Sequence, residues 1–121
     1  MTDLDRRSHR VALVADRYVN PRPGGLDAIA VLSECGWGVI QLPADHYSAA
    51  TAALFLEQVA EHAQEFQRRG YDLVLVGQRA GLRRALSAVG VRIPDRIDPH
   101  GPDELRAFLR DRPPPSAMTT G

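Results

Sequence analysis

The stretch that decides the fold is YDLVLVGQRAG, Tyr71 to Gly81. Leu73 to Val76 is an unbroken apolar run, too short for a helix, and it ends abruptly at Gly77. Such a run reads as a strand covered on both faces, the signature of a parallel sheet. Beyond it, Leu82, Ala85, Leu86 and Val89 recur at helical spacing as far as Gly90. A buried strand feeding a helix is half of a βαβ unit, and ligands of parallel α/β domains gather at the carboxyl ends of the strands. Gly77, Gln78 and Arg79 stand at that place.

The same alternation extends in both directions. Arg10 to Asp16 is an apolar run with a polar end, followed by a loop forced by Pro21, Pro23, Gly24 and Gly25. Leu26 to Cys35 predicts a helix stopped by Gly36, and WGVIQLP (residues 37–43) predicts a second strand. Ser48 caps the clearest helix, in which Ala49, Ala52, Ala53, Leu56, Val59, Ala60, Ala63 and Phe66 follow one stripe and Gly70 closes the pattern. A short fourth strand fits around Arg96 to Asp98, with prolines on both sides as at a sheet edge. Pro102 then opens a last helix carrying Leu105, Phe108 and Leu109. Strand and helix therefore alternate through about four rounds. That predicts a small three-layer doubly wound parallel sheet of flavodoxin-like type, α/β in class, with strand order 2-1-3-4. The predicted organisation is an N-terminal arm over residues 1–9, one domain over 10–111 and a disordered proline-rich tail over 112–121.

Composition excludes more than it identifies. The chain of 121 residues has a formal net charge of zero, so no overall field favours nucleic acid or an anionic membrane. No apolar run reaches the roughly 18 residues of a membrane span. The charged N-terminus leads directly into a strand, unlike a signal peptide, and a cytoplasmic location is expected. Cys35 is the single cysteine, which removes internal disulfides and multi-cysteine zinc sites. All 15 basic residues are arginine. Without lysine there is no P-loop lysine, no Schiff base and no lysine general base. No metal spacing is found among the histidines, and no cofactor motif is present.

From Arg10 to about Ala88 the chain resembles a response-regulator receiver domain, one version of the flavodoxin-like fold. VALVAD (residues 11–16) resembles the receiver's first strand, LSECGWGVIQLPAD (32–45) its first helix and second strand, and RRGYDLVLVG (68–77) its third strand. In receivers the first strand ends in acidic residues that bind magnesium, and the third ends at the aspartate that accepts phosphate. Here Asp16 stands beside Arg17 instead of a second acid, and Gly77 or Gln78 occupies the phosphoacceptor position. Neither can form an acyl phosphate, and the family's lysine has no counterpart. The resemblance implies a degenerate receiver that aspartyl phosphorylation does not switch.

Two sets of residues are candidates for function. The shared carboxyl margin of the strands would gather Asp16, Asp45, His46, Gln78, Arg79, Asp98 and His100. Asp16, His46 and His100 are the acid–base candidates, set against the plainer reading that these are wet loop residues and helix caps. A helix start at Gly77, Gln78 and Arg79, with Asp16 or Asp45 nearby, would suit a small phosphorylated or nucleotide ligand; equally, the glycine is a turn and the arginines a solvated face. The second set is on the first helix. If Leu26, Ile29, Ala30 and Ser33 face the sheet, then Ala28, Val31, Leu32 and Cys35 form an outer apolar row, which Leu54 on the long helix extends. A homodimer or another protein partner would cover it, unless a neighbouring helix does. The leading expectation is a non-enzymatic regulatory or assembly module acting by protein–protein contact. The alternatives are the anionic-ligand domain and a small lyase, isomerase or hydrolase.

Overall fold

The computed structural model describes residues 9–112; the N-terminal arm through residue 8 and the tail from residue 113 lie outside the described residues. The elements are β1 (Arg10–Val14), α1 (Asp16–Val19), α2 (Ala28–Glu34), β2 (Gly38–Gln41), α3 (Ala49–Arg68), β3 (Asp72–Val76), α4 (Leu82–Ala88), β4 (Arg96–Ile97) and α5 (Pro102–Arg110). The four strands form one sheet in the order β2-β1-β3-β4, and every pairing is parallel. This is the flavodoxin-like order that the apolar runs predict. Within it, Val11 pairs with Leu73 and with Gly38, and Val76 pairs with Ile97.

The layers follow from the handedness of the crossovers. The step from β1 to β2 runs opposite to the steps from β2 to β3 and from β3 to β4, so right-handed connections put α2 on one face and α3 and α4 on the other. The helix contacts agree: α2 packs with α5, and α3 with α4. Strands covered on both faces have no reason to alternate. Ala12, Leu13, Val14, Val74 and Val76 are completely buried, whereas β2, at one edge, is only half-buried. At the other edge β4 is two residues long, held between Pro94 and Pro99.

Helix starts use local chemistry. Asp27 accepts from the amides of Ile29 and Ala30, so α2 begins at Ala28 and Leu26 is left outside it. Ser48 accepts from the Thr51 amide at the head of α3. On α3 the buried stripe is Ala52, Leu56, Val59, Ala60 and Ala63, while Ala49 and Ala53 are exposed.

The orientation expected for the first helix is corrected. Ala28, Val31 and Leu32 face the core, at 0%, 4% and 0% exposure, and Ala30 and Ser33 face out. Three members of the expected outer row are thus buried on the inner side of the helix. The inner side of the helix is covered within the chain, by the sheet and by α5, with α1 alongside. Cys35 is exposed rather than packed.

The expected tail begins at Arg112, which is among the described residues. Arg112 binds Asp72 at the start of β3 with two nitrogens and donates to Asp95 Oδ2 at 2.7 Å. Its carbonyl accepts from Arg10 Nη2 at 3.2 Å, and the Arg10 guanidinium lies 5.2 Å over the Trp37 ring. The end of α5 is therefore fastened to the amino ends of β1 and β3 and to the approach of β4.

Candidate functional site

At the carboxyl margin the strands exit side by side, as a parallel sheet requires, but the polar residues there turn to their own neighbours. Asp16 opens α1 and accepts from Asn20 Nδ2 at 2.9 Å. The His46 ring meets the edge of Tyr47 at 4.9 Å between centroids. Asp98 pairs with Arg96 at 2.7 Å. Glu104 accepts from the His100 amide at 2.8 Å and contacts its ring, and these bonds hold the Glu104 carboxyl below its usual range. The His100 ring is 94% exposed. No hydrogen bond or ion pair among the described residues joins Asp16, His46 and His100, and among those residues no group of His, Cys, Asp and Glu is placed to hold a metal. What these side chains do is local: they cap, pair and stack.

Gly77, Gln78 and Arg79 now separate into three roles. Gly77 has φ +88°, and a β-carbon there would lie 2.7 Å from Ala15 Cβ and 2.9 Å from Tyr18 Cε2. The glycine is needed both for its backbone conformation and for the ring packed against it. Arg79 is 9% exposed and donates through Nε to the Pro43 carbonyl at 2.7 Å and through Nη2 to the Ala44 carbonyl at 3.1 Å. Asp45 stands 3.6 Å from the same Nε but is itself 79% exposed. Arg79 is thus a latch that fixes the loop after β2, with Nε and Nη2 engaged on carbonyls, rather than an open anion clamp. Nor do these residues begin a helix: α4 starts at Leu82 after Gly81 and is only seven residues long. Gln78 alone of the three is exposed.

Gln78 marks one end of a groove of about 1160 Å³ between α4 and the segment from Val91 to Arg96. It sits at the β4 edge, where the sheet stops after a two-residue strand. Leu75, Leu82, Leu86, Val91 and Ile93 give it an apolar floor, with Leu75 and Ile93 incompletely covered. Among the described residues its charged lining consists of Arg79, Arg83, Arg84, Arg92 and Arg96, with no acidic and no aromatic residue. Arg79 is the latch and Arg96 pairs with Asp98. The side chains of Arg83, Arg84 and Arg92 are exposed and have no hydrogen-bond or ion-pair partner among the described residues.

The signal for this groove is present in the sequence as charge patterning. From Leu73 to Pro94 there are four arginines and no acidic residue. Attention to the strand exit gathers Arg79 but passes over Arg92, because only the turn at Gly90 brings it back beside α4. Comparison of the chain with protein-family models, with curated proteins and with solved structures gives no match.

Proposed function

We propose that this domain is a non-enzymatic regulatory or assembly module that acts by contact with another protein, using the groove beside α4. The observation that carries the reading is the one-signed charged lining of that groove in a chain whose formal charge is zero. Exposed arginines without partners cost little in water, yet a cluster of one sign repels itself and is best relieved by an opposite surface. The margin offers no counter-argument from chemistry. Its carboxylates and imidazoles lie in separate local contacts, and an acid–base pair needs its members within reach of one reacting atom. The anionic small-ligand reading loses its clamp, because Arg79 is committed to the carbonyls of Pro43 and Ala44.

Affinity capture with the immobilised domain tests the reading, run in parallel with a variant carrying Arg83→Glu and Arg92→Glu. The expected result is a protein, identified by mass spectrometry, that the parent retains and the variant loses. Equal retention by both, or no specific protein, would count against the groove as a contact surface. A small molecule retained in native mass spectra of the parent would favour the ligand reading instead.

A further inference from the structure

The groove also specifies what kind of segment it takes. We infer that it binds an extended, acidic and partly apolar peptide segment of a partner protein, an inference that rests on the protein-contact reading above. Three observations define the chemistry. First, the rim residues with uncommitted charge, Arg83, Arg84 and Arg92, are all guanidinium groups, which pair two-pronged with carboxylates and phosphates. Second, the floor beneath them is apolar, and Leu75 and Ile93 retain surface that a partner's side chains would cover. Third, no aromatic side chain among the described residues lines the groove, so they offer no platform for stacking bases. A nucleic acid would meet the charge but leave the floor bare; an apolar helix would meet the floor but leave the charge unanswered. A chain of alternating character meets both. In an extended segment successive side chains point to opposite sides, so apolar groups settle on the floor while the intervening carboxylates meet the rim.

The dimensions suit such a segment. The groove follows α4 from Leu82 to Ser87, about 9 Å at ~1.5 Å per residue. An extended chain at ~3.3 Å per residue crosses that distance in about three residues. The volume of about 1160 Å³ exceeds the ~300–1,000 Å³ of most small-molecule pockets and lies along a helix instead of closing round one point.

The test is fluorescence anisotropy with a labelled eight-residue peptide alternating glutamate with leucine or valine. Controls are an octaglutamate, the same peptide with lysine for glutamate, an oligothymidylate and inorganic phosphate as competitor. The full chain is expected to bind the acidic alternating peptide with a Kd below about 100 μM in low salt. Binding should weaken at least ~5-fold at high ionic strength, where screening shortens the reach of surface charges. Arg83→Glu with Arg92→Glu should weaken it at least ~10-fold, since attraction becomes repulsion at two positions. Octaglutamate should bind several-fold more weakly and the lysine peptide not detectably.

The inference is overturned if the acidic peptide does not bind, or if charge reversal leaves its affinity unchanged. It is also overturned if octaglutamate or oligothymidylate binds as tightly, or if phosphate displaces the peptide completely. Failure here, with groove-dependent capture of a protein still observed, removes the acidic-segment chemistry and leaves the contact function standing. Failure of both removes the function as well.

Discussion

Ala15, Tyr18 and Gly77 show how tightly the exit of β3 is specified, atom against atom. The Tyr18 ring lies so close that its Cδ2 is 3.0 Å and its Cε2 2.9 Å from where a β-carbon on residue 77 would sit. Gly77→Ala therefore combines a left-handed backbone, about 1–2 kcal/mol, with an overpacked contact of about 1–3 kcal/mol. The expected outcome is a loss of at least ~2 kcal/mol in urea unfolding, and a neutral result would mean that the Tyr18 ring moves freely. That ring also carries a pH dependence. Burial pushes the Tyr18 phenol above its ordinary value of 10.0; Arg17 opposes the shift, while Asp98 and Glu104 reinforce it. A raised value means that the folded state holds the phenol proton more tightly than the unfolded chain. The associated stability is intact below the unfolded value and is lost as pH rises through the folded one. Urea midpoints measured up to alkaline pH should fall above about pH 10, and Tyr18→Phe should flatten that decline.

α2 is the element where periodicity and packing part company. A helix with apolar residues on two sides has two phases that satisfy a sheet, and sequence spacing alone does not choose between them. The choice is made by long-range neighbours: α5 lies against α2 on the same face of the sheet, and the Asp27 cap fixes where the first turn begins. Val31 accordingly lies in the core at 4% exposure. Val31→Ala is expected to cost about 2 kcal/mol through lost burial and the cavity left behind. It should leave the oligomeric state measured by light scattering unchanged; a change there would return an interface role to α2. The strands were legible because a buried parallel strand is apolar wherever one looks, and Leu73 to Val76 says so within four residues. α3 was legible because its buried stripe repeats over twenty residues. α1 was not, since its four residues give no periodicity and precede a proline-rich loop. The groove lay between these cases: its charge was written in the run from Leu73 to Pro94, but its walls exist only once β4 pairs with β3.

Across the whole molecule, equal numbers of acidic and arginine residues conceal a sorting of charge. Carboxylates engage the arginines that hold elements together: Asp72 and Asp95 on Arg112 and Glu34 on Arg106. Among the described residues, Arg83, Arg84 and Arg92 have no such partner. Two kinds of arginine should then respond differently to substitution. Arg112→Ala strips Asp72, whose side chain is 16% exposed, of a two-pronged partner and frees the end of α5 from β3. Hydrogen bonds to charged groups of this kind are worth about 1.5–3 kcal/mol, so a loss of ~2 kcal/mol is expected. Arg112→Lys should recover only part of it, because an ammonium cannot reach both Asp72 and Asp95 as a fork does. Arg83→Glu with Arg92→Glu, by contrast, removes no contact among the described residues and relieves like-charge crowding, so its urea midpoint should move by less than the equivalent of about 0.5 kcal/mol. If the groove pair proved as costly as Arg112→Ala, those arginines would belong to the framework, and an open binding edge would no longer follow from the arrangement of charge.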